Sequence, residues 1–127
     1  MHTIVIADDE PSLRLLVSAT VSSDQFQVIE AVDGDDAWQM VRSCHPDVAL
    51  LDVQMPGKTG LELARAIKDD LSLSATRVVL LSAKAQQADI QAGLDAGADH
   101  YLTKPFSPFE LMALLTELVQ QSPVGTR

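Results

Sequence analysis

Five short apolar runs punctuate the chain: Thr3–Ala7, Phe26–Ala31, Val48–Asp52, Arg77–Ser82 and His100–Thr103. Most are continuous rather than alternating and rich in Val, Ile and Leu, the pattern of strands covered on both faces. Helix-length stretches lie between them. Pro11 opens the first with a φ suited to an initial helical turn, and Leu13, Leu16, Val17 and Thr20 follow at helical spacing. Asp33-Gly34-Asp35-Asp36 leads into Ala37–Cys44, with carboxylates where a helix N-terminus favours them. Gly60 leads into Leu61–Leu71, in which Leu63, Ala66 and Ile67 share a face. Gln86–Ala96 ends at Gly97, a residue suited to the turn after a helix, and Ser107-Pro108-Phe109-Glu110 reads as a capping box before Leu111–Val119. Strand and helix alternate five times, which predicts an α/β domain with a parallel sheet and helices on both faces.

A parallel sheet brings the carboxyl ends of its strands to one rim, where such folds bind ligands. Asp8-Asp9, Asp52, Ser82 and Lys104 each follow or end one of the predicted strands. Taken singly, these residues have plain readings: a helix cap, a turn residue before Met55-Pro56-Gly57, another turn residue and a solvated surface lysine. Together they form a constellation. Adjacent carboxylates behind a buried strand repel each other and are costly to desolvate, and a divalent cation relieves both costs. Oxygen donors with no His or Cys nearby suit Mg²⁺, and Mn²⁺ fits the same set. A cation beside a lysine points to a phosphoryl group. A carboxylate can accept it as nucleophile, the two cations spread the charge, and the Ser82 hydroxyl can donate to it.

The 127 residues are 46% apolar and fit one domain, expected to span residues 1–121, with 122–127 as a polar tail or the start of a linker. One cysteine, Cys44, permits no internal disulfide, and neither a leader-like segment nor a membrane-spanning run is seen; the expected compartment is the cytoplasm. The net charge of −9 argues against nonspecific binding to nucleic acid. His2, His45 and His100 have no ligand spacing, Cys44 reads as an inert helix residue, and Trp38 lies away from the proposed pocket.

Four motifs occur in order: Asp8-Asp9-Glu10; Asp52-Val53-Gln54-Met55-Pro56-Gly57 with Gly60; Ser82-Ala83; and Ala96-Gly97-Ala98-Asp99-His100-Tyr101-Leu102-Thr103-Lys104-Pro105-Phe106. With them, roughly residues 3–120 resemble the receiver domain of bacterial two-component response regulators, the chemotaxis-receiver-like family. The resemblance implies a doubly wound, flavodoxin-like (βα)5 fold with strand order 2-1-3-4-5. It implies that Asp52 accepts a phosphoryl group from a sensor histidine kinase or phosphotransfer protein. Asp9, Asp52 and the Gln54 backbone carbonyl would bind Mg²⁺, with Asp8 acting through water. Lys104 would pair with Asp52 and then with phosphate, Ser82 would swing toward the phosphoryl group, and Tyr101 would turn inward behind it. The Lys104–Pro105 bond is expected to be cis. Gln54 and Lys84 flank the pocket and are expected to tune the lifetime of the aspartyl phosphate. Leu13 is expected to stay exposed beside Pro105 and Phe106 as a kinase-docking surface. The switch would signal to an output domain or another effector, without direct nucleic-acid or membrane binding by this chain. It would catalyse its own phosphorylation and dephosphorylation without being a turnover enzyme. A homodimer through the fourth and fifth helices is compatible with the family but marked by no motif here.

Three other readings compete. A flavodoxin-like electron carrier needs a glycine- and hydroxyl-rich phosphate loop, whereas Asp8-Asp9-Glu10-Pro11 would repel a flavin phosphate. A haloacid-dehalogenase-like phosphatase usually carries Asp-x-Asp after its first strand, absent here. A degenerate receiver would bind partners without phosphate, against which stand the acidic pair, Asp52 and Lys104.

Overall fold

In the computed structural model, which describes residues 2–120, successive residues of strand β1 (His2–Ala7) alternate between two faces of one sheet. Ile4 and Ile6 enter one core, and Val5 and Ala7 enter the other. The same division holds in β3 (Val48–Asp52) and β4 (Arg77–Ser82), which explains why their sequences are continuously apolar. β2 (Phe26–Ala31) and β5 (His100–Thr103) form the edges, and there polar residues such as Gln27, Glu30 and His100 reach solvent. All pairings are parallel, in the order β2-β1-β3-β4-β5.

Helices α1 (Pro11–Val21) and α5 (Pro108–Gln120) cover one face through Val17, Val21, Leu111 and Leu115. On the other face lie α2 (Gly34–Cys44), α3 (Gly60–Asp69) and α4 (Gln87–Asp95). Fully burying one such aliphatic side chain contributes about 1.5–3 kcal/mol, so Leu50→Ala in the central strand would cost about 2–5 kcal/mol.

Three local predictions need correction. The third helix stops at Asp69, and a 3₁₀ turn at Leu71–Leu73 follows, because Asp70 caps that turn by accepting from the Ser72 amide at 2.9 Å. Its core face uses Ala64 with Leu63 and Ile67, and Ala66 is only half-buried. Leu16 is not a core residue: the first helix packs through Val17 and Val21, leaving Leu16 41% and Leu15 68% exposed. The Ser107–Glu110 capping box forms in both directions, each bond at 3.0 Å. Gly97 follows α4 with φ +106°, a conformation that a side chain would strain. The stretch expected as a tail, residues 122–127, lies outside the described residues. Among those described, no helix is long and apolar enough to cross a membrane.

Candidate functional site

β1 leads directly into a carboxylate with no solvent-exposed surface. Asp8 is fully buried, and its two oxygens accept from the Glu10 amide at 2.9 Å and from Lys104 Nζ at 2.9 Å. Asp9, one residue on, is exposed. Asp52 ends β3 and is 7% exposed; one oxygen accepts from the Gln54 amide at 3.3 Å and the other lies 3.5 Å from Lys104 Nζ. Asp8, Asp9 and Asp52 each offer one oxygen within 4.8 Å of the others.

The loop after Asp52 is closely built. Gly60 donates to the Val53 carbonyl at 3.1 Å, and a Cβ on Gly60 would come within 2.5 Å of the Asp52 carbonyl oxygen, so glycine is required. Thr59 and Glu62 cap α3 reciprocally, at 2.9 and 3.2 Å. This capping box went unnoticed in the sequence, although Thr-x-x-Glu at 59–62 is its signature.

Ser82 ends β4 and is nearly buried. Its hydroxyl oxygen accepts from the Lys84 amide at 3.0 Å, which leaves its proton available to donate elsewhere. Lys104 follows β5, anchored by its amide to the Ser82 carbonyl at 2.8 Å, and the Lys104–Pro105 bond is cis. Lys104 pairs with Asp52 at 3.5 Å, yet lies closer to Asp8, at 2.9 Å, with Glu10 at 3.6 Å. The ammonium lies nearest the most deeply buried carboxylate, where neutralisation gains most.

Burial raises the Asp52 carboxyl above its ordinary value, and the charge of Asp8 adds to the rise; Lys104 and the Gln54 amide offset only part of it. Burial pulls the Lys104 ammonium down, but the Asp8 hydrogen bond and the charges of Asp52, Asp8 and Glu10 outweigh this, and the net shift is upward. The site therefore pairs a carboxylate of raised basicity with a lysine held firmly in its charged form.

Tyr101 is half-buried, and its hydroxyl donates to the Lys84 carbonyl at 2.9 Å. The Lys84 peptide thus joins Ser82 to Tyr101: its N–H reaches one and its carbonyl the other. Sequence reasoning singled out the Lys84 side chain, and no sequence signal marks the role of its backbone. Leu13 is only half-buried rather than fully exposed, because it packs partly against the α1/α5 core. It lines a groove with Leu16, Pro105 and Phe106 that runs to Glu10 and Lys104.

The response regulator receiver domain model matches residues 4–116. This chain belongs to that family. Response regulator GtcR of Aneurinibacillus migulanus is 38% identical over 111 residues, covering 87% of this chain and 45% of the relative. The phosphate regulon transcriptional regulatory protein PhoB of Pseudomonas aeruginosa is 36% identical over 123 residues, covering 97% and 54% respectively. The receiver thus spans about half the length of these relatives. Among solved structures, the receiver domain of sensor histidine kinase PA1611 from Pseudomonas aeruginosa matches with TM-score 0.85 and 27% identity over 94% of this chain and 98% of that one. A magnesium ion is coordinated in that protein's active site cleft. The family function is phosphorylation-dependent signalling with histidine kinases and output domains. Membership sets aside the electron carrier and the phosphatase.

Proposed function

We propose that Asp52 is the phosphoacceptor of this receiver and that its phosphorylation depends on Mg²⁺. The convergence of three carboxylates and one lysine at the strand ends carries this reading. The donor set is all oxygen, which fits Mg²⁺ or Mn²⁺. Asp9, Asp52 and the Gln54 carbonyl would hold the ion, with Asp8 acting through water; when bound, it offsets negative charge on the attacking and transferring oxygens.

An Asp52 oxygen attacks the phosphorus of a phosphohistidine, and the bond to the histidine nitrogen breaks with its electron pair. Lys104 then shifts from Asp8 and Asp52 to the phosphoryl oxygens, and Ser82 donates its free hydroxyl proton to one of them. Moving Ser82 disturbs the Lys84 amide it holds, and the Lys84 carbonyl passes that change to Tyr101. Tyr101 turning inward alters the surface of α4, β5 and α5, which an output domain or effector reads. The groove at Leu13, Pro105 and Phe106 receives the kinase or phosphotransfer protein. Gln54 and Lys84 set the lifetime of the aspartyl phosphate by controlling water access. The chain assists its own phosphorylation and dephosphorylation without acting as a turnover enzyme, and works in the cytoplasm.

Incubation with acetyl phosphate and Mg²⁺, followed by intact mass measurement, tests the core assignment. One phosphoryl adduct is expected on the wild type and none on Asp52→Asn. Equal labelling would refute the assignment, and no labelling of the wild type would favour a degenerate receiver.

A further inference from the structure

We propose that Arg14 is a positioning residue of the cation seat, fixing the Asp8–Asp9 peptide so that Asp9 is held toward Asp52. The proposal rests on reading Asp8, Asp9 and Asp52 as that seat.

Pairing of β1 with β2 ends at Ala7 and Ala31. Beyond it the chain leaves the ladder, and the Asp8 amide keeps only a long 3.4 Å bond to the Ala31 carbonyl. The Asp8 carbonyl, on the other side of that residue, accepts instead from Arg14 Nη1 at 2.7 Å. This oxygen belongs to the peptide unit that leads directly into Asp9. Holding it restricts rotation of the peptide plane and therefore the direction in which the exposed Asp9 side chain leaves the backbone.

The guanidinium is itself well held. Its side chain is 14% exposed, its Nε donates to Glu30 Oε1 at 3.3 Å, and Ser18 Oγ donates to the other Glu30 oxygen at 2.9 Å. A planar fork can serve two acceptors on different elements at once, which a lysine ammonium does less rigidly. The pairing with Glu30 also matters for charge. A bare guanidinium beside three carboxylates would oppose cation binding; one balanced by Glu30 supplies geometry with less of that opposition.

The sign of the effect separates this role from two simpler ones. If Arg14 acts only through its charge, removing it strengthens Mg²⁺ binding. If it is only a surface tie between α1 and β2, stability falls slightly and Mg²⁺ affinity does not change. A positioning role predicts weaker binding.

Isothermal titration with Mg²⁺ at fixed pH and salt, with thermal melts of each protein, decides between them. Arg14→Gln is expected to raise the Mg²⁺ dissociation constant about tenfold, the low end of the loss typical of removing a group that orients a metal ligand. Arg14→Lys keeps the charge and is expected to lose a smaller part; should the Gln variant not fold, the Lys variant decides. Unchanged or tighter binding in the Arg14 variants, with the wild type binding normally, overturns the proposal alone. A wild type that does not bind Mg²⁺ overturns the seat itself, and this proposal with it.

Discussion

At the amino edge of the sheet, Asp99 accepts from Lys68 Nζ at 2.8 Å and from the Val78 amide at 2.8 Å, with Arg77 at 3.6 Å. Asp47 at the same edge accepts from the Thr3 amide at 2.7 Å, with His2 at 3.8 Å. At the carboxyl edge Asp8, Asp9 and Asp52 crowd together, and Lys104 is shared between Asp8, Asp52 and Glu10. The two edges use the same residue types in different ratios. Where Asp99 meets two cations, the charges staple strands and helices together. Where one ammonium serves three acids, negative charge is left over, and burial raises the cost of keeping it. A fold tolerates such an imbalance where a ligand completes the balance.

The sharpest way to break this comparison is to remove one lysine from each edge. Lys104→Met leaves the buried Asp8 without its cation and is expected to cost about 3–5 kcal/mol, measured by urea denaturation at neutral pH. Lys68→Met leaves Arg77 beside Asp99 and is expected to cost only about 1 kcal/mol. Equal losses would contradict the difference between the edges.

Removing carboxylates should change stability in opposite directions. The raised Asp52 carboxyl means that the folded state binds its proton more tightly than the unfolded chain does. Stability therefore falls as pH rises from the ordinary value of 3.8 through the raised folded value, and the penalty is complete at neutral pH. Asp52→Asn is expected to melt a few degrees higher than wild type at pH 7, with the gain vanishing below about pH 3.8. Asp99→Asn breaks the Lys68 pair and is expected to destabilise by about 1–3 kcal/mol at pH 7.

Two smaller effects sharpen the picture on the site's flanks. Thr59→Ala removes half of the capping box after the Asp52 loop and should cost about 1 kcal/mol in a denaturant titration. Leu13→Ala should slow phosphotransfer from a histidine kinase but leave labelling by acetyl phosphate unchanged, measured as two rates on the same preparation. Equal slowing of both would remove the groove from kinase docking.

The sheet and the rim were legible in the sequence because both depend on short-range pattern. Val48–Leu51 and Val78–Leu81 are apolar without interruption, and a charged or hydroxyl residue closes each strand that feeds the site. What was not legible depends on reach between elements. The preference of Lys104 for Asp8 over Asp52 follows from where a long side chain lands after folding. Arg14 on the Asp8 carbonyl and the Lys84 peptide between Ser82 and Tyr101 are contacts to backbone atoms, which residue identity does not announce. The exposure of Leu16 was hidden because helical spacing gives a period but not which face turns inward.

The central claim is that the carboxyl edge is a cation seat and the amino edge is not. Isothermal titration of Mg²⁺ into wild type, Asp9→Asn and Asp99→Asn tests it most directly. The wild type is expected to bind one ion, Asp9→Asn to bind at least about tenfold more weakly, and Asp99→Asn to match the wild type. Wild-type affinity in Asp9→Asn, or an equal loss in Asp99→Asn, would contradict the account.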